Sequence, residues 1–248
     1  MNSAYDDLGN VVELPSEVRR VVSIVPSLTE SIASTRPDLI VGATDWCTQP
    51  AHLDVIRVRG TKNPDLERIR ALAPDVVIAN AEENRAIDLD ALRSSGIAVW
   101  TTAPTTVPEA LDSLMRMLPA IIGDVPRWLR EARSVWSTSY EGMRRRAVIP
   151  IWRRPWMALG RDTFAGDLLS RIGIDNSLRE STERYPRIDP AALPEYDLVV
   201  LPDEPYPFSP DDGPEAFAKP ARCVSGRHLT WYGPSLVEAR ELLSGQLA

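Results

Sequence analysis

Hydrophobic positions along this chain follow two rhythms, and the points where the rhythm changes divide it into three parts. Val21-Val22-Ser23-Ile24-Val25 is a mostly β-branched run closed by Pro26, which has no N–H to give a ladder, so the run predicts a buried strand. Ser27 or Thr29 is placed to cap a helix running toward Ala33, with Glu30 in its first turn. Residues 39–42 read as a second strand, and residues 64–72 have helical spacing with Pro64 at the start. Residues 76–79 form another strand, residues 89–95 a short helix stopped by Gly96, and residues 97–100 a strand again. Strand and helix in alternation predict a parallel α/β sheet.

From Val107 to about Arg146 the strand-like runs stop and apolar residues recur at three and four. Leu111, Leu114, Met115 and Leu118 make one stripe, and Trp128, Leu129, Ala132, Val135 and Trp136 make another. Gly123-Asp124-Val125-Pro126 separates them. Trp128 and Trp136 are expected in the core. The α/β alternation then returns, with strands at residues 147–151, 198–201 and 221–224 and helices at residues 167–172 and 235–243. The expected organisation is an N-terminal α/β lobe over residues 1–106, a helical connector over 107–146 and a C-terminal α/β lobe over 147–248. Both lobes carry parallel sheets, and the protein is expected to be a monomer.

Composition narrows the function. The chain has 248 residues, 44% apolar and 25% charged, which suits a globular protein with room for two cores. A formal charge of −7 argues against a general nucleic-acid binder. No run reaches the roughly 18 apolar residues that a membrane span needs. Arg144, Arg145, Arg146, Arg153 and Arg154 are the one basic concentration, expected as a positive helix end and a solvated loop. Cys47 and Cys223 fit no metal-ligand spacing and are expected as free thiols. The first residues are polar and acidic, without the basic start and apolar stretch of about 7–15 residues of an export signal, so the expected location is the cytosol.

Enzyme signatures are sparse. There is no G-x-S-x-G elbow and no G-x4-G-K-[ST] phosphate loop, and two histidines leave little for a His-based triad or zinc site. Glu82 and Glu83 beside Arg85 read as a solvated acidic rim.

Three segments carry a resemblance. They are Arg20-Val21-Val22-Ser23-Ile24-Val25-Pro26-Ser27-Leu28-Thr29-Glu30, Asn63-Pro64-Asp65-Leu66-Glu67-Arg68-Ile69 continuing through Ile78, and Pro155-Trp156-Met157-Ala158-Leu159-Gly160-Arg161-Asp162-Thr163-Phe164. In order and spacing the chain resembles the helical-backbone solute-binding proteins of ABC importers for vitamin B12, ferric siderophores and haem, nearest the vitamin B12 branch. The resemblance implies a non-catalytic binder that holds a corrinoid or other metal chelate in a cleft between lobes. It requires no cofactor and no protein-bound metal.

The general rule for open α/β sheets puts ligands beyond the carboxyl ends of the strands, which selects the loop residues there. On the first lobe these are Trp46, Lys62, Glu82 and Glu83. On the second they are Trp156, Tyr185, Glu204, Tyr206, Phe208, His228, Trp231 and Tyr232. Trp46, Trp156, Tyr185, Trp231 and Tyr232 supply faces for a planar ligand, while Glu83, Glu204, Lys62 and His228 orient its polar rim. The resemblance places aromatic cleft residues at about Trp46 and Tyr185. Two further aromatic positions of the relatives fall here on Thr61 or Lys62 and on Asn80, replacing stacking with polar contacts.

The resemblance also implies a docking carboxylate on each lobe. Glu67 matches the first and Asp189, one methylene shorter than glutamate, stands near the second. With no export segment and no second glutamate, the expectation is a protein that does not feed an importer.

Two other functions compete with this one. A tetrapyrrole- or metal-chelate-modifying enzyme would need His228 to converge with Glu83 or Glu204. A ligand-free interaction module would have its cleft plugged by the rigid aromatic loop of residues 201–208. The helical connector predicts little lobe closure on binding. Small-angle scattering with and without ligand should show a nearly constant radius of gyration, and a large fall would contradict the prediction.

Overall fold

The computed structural model describes residues 2–248, which divide into two compact units. The first comprises Met1–Pro104, Ala110–Arg130 and Tyr232–Pro234; the second comprises Thr105–Glu109, Glu131–Trp231 and Ser235–Ala248. The chain therefore crosses between the units more than once.

The first unit begins with an antiparallel hairpin of β1 (Asn2–Tyr5) and β2 (Val11–Leu14). Then come β3 (Val21–Ser23), α1 (Pro26–Ala33), β4 (Ile40–Ala43), β5 (Ile56–Arg57) and a small hairpin of β6 (Arg59–Gly60) and β7 (Asn63–Pro64). The unit continues with α2 (Leu66–Ala71), β8 (Val76–Asn80), α3 (Ala86–Ser94) and β9 (Val99–Thr102). The main sheet runs β5-β4-β3-β8-β9, with every pair parallel. Val22, Ile24, Ile69, Val77, Leu89, Leu92 and Val99 pack as its buried core, as the apolar runs require.

Local chemistry departs from expectation at two helix starts. Pro26 itself opens α1, and Val25 precedes it without a side-chain cap. Thr29 lies inside the helix and donates to the Val25 carbonyl at 2.9 Å; Ser31 donates likewise to Ser27 at 2.7 Å. Pro64 is a strand residue, and Asp65 caps α2 by accepting from the Arg68 N–H at 3.1 Å. The Leu72 side chain, just past the end of α2, packs on β4 at Gly42, where a Cβ would come within 2.6 Å of it.

The acidic start is structural. The Asp6 side chain is buried and accepts from the Leu8 and Asn10 N–H groups at 3.0 and 2.8 Å and from the Thr101 N–H at 3.3 Å, with Arg93 3.6 Å away. Asp7 accepts from the Ala103 N–H at 2.9 Å and from Arg116 at 2.8 Å. These bonds fix the turn of the first hairpin to β9, the last strand of the sheet.

Two helices follow, α4 (Val107–Ile122) and α5 (Arg127–Val135), so the expected helical block is present but stops at Val135. Most of α4 belongs to the first unit and most of α5 to the second. Trp136 is buried and donates its Nε1–H to the Leu236 carbonyl at 2.8 Å, and Trp128 is half-buried.

The second unit contains β10 (Arg145–Val148), a hairpin of β11 (Pro150–Arg153) and β12 (Trp156–Ala158), α6 (Phe164–Ser170) and β13 (Ile174–Asn176). It ends with β14 (Leu198–Pro202), β15 (Ala221–Val224), α7 (Gly226–Thr230) and α8 (Leu236–Leu247). Its sheet runs β13-β10-β14-β15, again wholly parallel. The arginine cluster is not a helix end. Arg145 and Arg146 lie on β10 and Arg153 on β11; Arg144 pairs with Asp175, Arg146 with Glu195, and Arg153 with Asp212 and Glu215. Those partners come from segments distant in sequence, which periodicity cannot reveal.

Among the described residues no helix is long and apolar enough to cross a membrane. Replacing Asp6 with alanine would strand the amides it satisfies, with an expected cost of about 2–3 kcal/mol. Urea unfolding should show a lower midpoint with an unchanged slope.

Candidate functional site

In the first unit the expected rim residues follow the carboxyl ends of β4 and β8 or sit on the β6–β7 hairpin. Trp46 follows β4 and is 66% exposed, the largest apolar side chain left in solvent there. Its indole lies over the β6–β7 hairpin, where a Cβ on Gly60 would stand 3.4 Å from Trp46 Nε1. Lys62, at the tip of that hairpin, is exposed and donates to the Glu82 carbonyl at 2.5 Å. Glu82 is exposed and Glu83 half-buried. Lys62 and the Glu82 backbone thus meet, and Arg85 pairs with Asp88 at 2.7 Å.

Beneath this rim lies a polar network that the sequence reading missed. Asn80, the last residue of β8, is buried, and its Oδ1 accepts from the N–H groups of Glu82 and Glu83 at 2.8 and 3.0 Å. Asn84 accepts from the Asn80 N–H at 2.8 Å and donates to the carbonyls of Ile24 and Thr61 at 3.2 and 3.0 Å. The one available signal was the pair of asparagines four apart just after a strand, a spacing that favours local side-chain-to-backbone bonds.

Tyr232 belongs to this network. It is buried, and its hydroxyl accepts from Asn80 Nδ2 at 2.7 Å and lies 2.8 Å from Thr102 Oγ1. Burial, helped by the Glu83 charge, pushes its phenol well above the ordinary tyrosine range. An aromatic face for a ligand was expected of it; closed in this way, Tyr232 presents none. Nearby, Cys47 is buried with Thr29 and Thr44 each 3.1 Å from its sulfur, and burial raises its thiol.

In the second unit the expected residues separate into two groups. Glu204, just past β14, is half-buried with Trp231 and Thr230 as hydrogen-bond donors, Thr230 at 3.4 Å. Desolvation and then the neighbouring Asp203 raise its carboxyl above the usual range, against the lowering effect of those donors and Arg227. The Arg227 guanidinium sits 5.8 Å from the Trp231 ring. His228 is buried in α7, with Nδ1 2.8 Å from Ser225 Oγ and Nε2 3.8 Å from Glu238, so protein contacts and not a solvent-facing rim surround it. Gly226 lets α7 close on this loop, because a Cβ there would lie 2.8 Å from the Glu204 nitrogen.

The other group is the unit's own aromatic packing. Trp156 stacks on Phe208 at 5.8 Å and meets Phe217 edge-on at 5.2 Å. Tyr206 lies 4.6 Å from Phe208 and 5.7 Å from Trp152, and its hydroxyl donates to Asp212 at 2.7 Å. Phe208 is buried. Tyr185 stands apart, half-buried with the Arg184 guanidinium 6.0 Å from its ring. Glu67, on α2, and Asp189 are both exposed, each in its own unit.

Comparison with known proteins places this geometry in a class. No family model matches the chain. In sequence it is similar to an uncharacterized ABC transporter substrate-binding lipoprotein, YvrC, of Bacillus subtilis strain 168, at 25% identity over 193 residues, 71% of this chain and 61% of that protein. It is also similar to a vitamin B12-binding protein of Vibrio cholerae, at 22% identity over 182 residues, 70% of this chain and 66% of that protein. The matches therefore span just under two thirds of these relatives' length. Among solved structures, the periplasmic heme-binding protein RhuT from Roseiflexus sp. RS-1, in apo form, superposes with a TM-score of 0.72 over 93% of this chain and 100% of that one, at 16% identity.

The chain shares the fold of that heme-binding protein, and the family resemblance read from the sequence agrees with the relatives matched. The expected cytosolic location finds no support in these comparisons, since the proteins matched are described as a lipoprotein or as periplasmic.

The state of Glu204 has a measurable consequence. A carboxyl whose folded pKa lies above its unfolded value contributes most below the unfolded value, near pH 4.3, and loses that contribution as pH rises through the folded value. Glu204→Gln should therefore raise the melting temperature relative to the parent at pH 7–8, with the gain vanishing by about pH 4.

Proposed function

We propose that this protein is a non-catalytic binder of a metal chelate of the corrinoid or haem type. The observation that carries the proposal is Trp46, a two-thirds exposed indole beyond the carboxyl end of β4, flanked by the Lys62 and Glu82 rim. An aromatic plate beside a mixed-charge rim is the combination a planar, amphipathic chelate needs: stacking for its face and hydrogen bonds for its periphery. On the second unit, Glu204, Trp231 and Tyr185 are the residues assigned to the same task. Substrate-binding, vitamin B12-binding and heme-binding descriptions among the similar proteins support the ligand class. Exposed Glu67 and Asp189 are where a membrane partner of ABC type would be met, and the lipoprotein and periplasmic descriptions favour work outside the cytosol.

A second reading, the ligand-free interaction module, draws on one observation. Trp156, Tyr206 and Phe208 spend their faces on one another, as a plug would. Titration of the full chain with cyanocobalamin and with haemin, followed by absorbance and native mass spectrometry, separates the two. Saturable 1:1 binding of either probe supports the binder, and failure with both supports the module. Trp46→Ala should weaken binding at least tenfold, about 1.4 kcal/mol, with little change in melting temperature because the ring is mostly exposed. Unchanged affinity in that variant would remove Trp46 from the site.

A further inference from the structure

Tyr232 is drawn from the far end of the sequence into the first unit, 152 positions from Asn80, and only three residues of its segment belong there. Gly233 follows it because nothing larger fits: a Cβ would stand 2.8 Å from Ser31 Oγ and 3.1 Å from the Ser27 carbonyl on α1. The segment is therefore seated tightly, and the one polar group that Tyr232 brings ends on Asn80 and Thr102.

Asn80 spends its amide in two directions. Its nitrogen donates to Tyr232 at 2.7 Å and to Thr102 at 3.3 Å, while its oxygen receives the Glu82 and Glu83 amides. An asparagine rotated about its last torsion would swap donor and acceptor, so the Tyr232 hydroxyl helps determine which end faces the turn. The turn then hands its geometry on. The Glu82 carbonyl receives Lys62, and Asn84, held by the Asn80 N–H, holds the Thr61 carbonyl. The Glu82 and Glu83 amides, and through the Glu82 carbonyl Lys62, are thus linked to the orientation of a single buried amide.

We propose that Tyr232 is a positioning residue for the ligand rim: its hydroxyl orients Asn80, and Asn80 fixes the Glu82–Glu83 turn and, through it, Lys62. This rests on the reading of the rim as a ligand site, and it reassigns Tyr232 from touching the ligand to holding the residues that do.

The test uses the full chain as Tyr232→Phe, which keeps the ring and removes the hydroxyl, beside Ile69→Val, a core change that lowers stability by a similar amount without touching the network. Backbone amide exchange and titration with cyanocobalamin and haemin are read on both. In Tyr232→Phe the Glu82 and Glu83 amides should exchange about tenfold faster than in the parent, and affinity for whichever probe the parent binds should fall about three- to tenfold. Ile69→Val should leave both unchanged. Parental exchange at Glu82 and Glu83 in Tyr232→Phe overturns the proposal, and so does faster exchange with parental affinity. If the parent takes neither probe, the ligand reading fails by itself, and amide exchange still decides whether Tyr232 holds the turn.

Discussion

A parallel strand that ends inside a protein leaves backbone N–H and C=O groups with no partner on the next strand, and each such group left bare costs free energy. The first unit meets that constraint with a few side chains, Asn80 and Asn84 at the end of β8 and Asp6 and Asp7 against β9. Asn80 closes the end of β8, satisfies the two amides that follow it and is itself satisfied by Tyr232 and Thr102. The exposed rim exists in one geometry because this buried amide has little freedom to turn.

The second unit meets the same constraint with carboxylates at the end of β14 and an amide at the end of β13. Asp203, next to the end of β14, accepts the Gly226 N–H at 2.7 Å and so starts α7, and Glu204 takes Thr230 and Trp231. Asn176, at the end of β13, accepts the Leu178 N–H at 3.0 Å and donates to the carbonyls of Leu159 and Gly160. Asn80 is neutral, whereas Glu204 is a partly desolvated acid whose charge state changes the donors and acceptors around it.

Much of the architecture was legible in the residues. Val21 to Ser23, Val76 to Ala79 and Leu198 to Leu201 are short, largely apolar runs of the kind buried strands use, and the structure places each in the interior of its sheet. The first hairpin was missed because Asp6 and Asp7 look like a solvated acidic start until Thr101, Ala103, Arg93 and Arg116 are folded against them. Trp46 and Glu82 are exposed just past β4 and β8, where the sequence reading put them, because residues beyond strand ends face solvent by topology. Trp156, Tyr206 and Phe208 passed the same filter, yet they pack on one another, since a loop's aromatics are free to satisfy themselves before any ligand arrives.

By itself the sequence determined the alternation of strands and helices, the helical stretch between two α/β halves and which loops follow the strand ends. Hydrophobic period and the backbone limits of proline and glycine act over a few residues, so they can be read locally. Tertiary structure decided what those loops do. It placed Tyr232 under the first unit's rim, paired the arginines of residues 144–153 with acids from other segments, and enclosed His228 within α7 and its neighbours. Each outcome depends on which distant groups meet in three dimensions, and a buried hydrogen bond between residues 152 positions apart leaves no periodic mark on the chain.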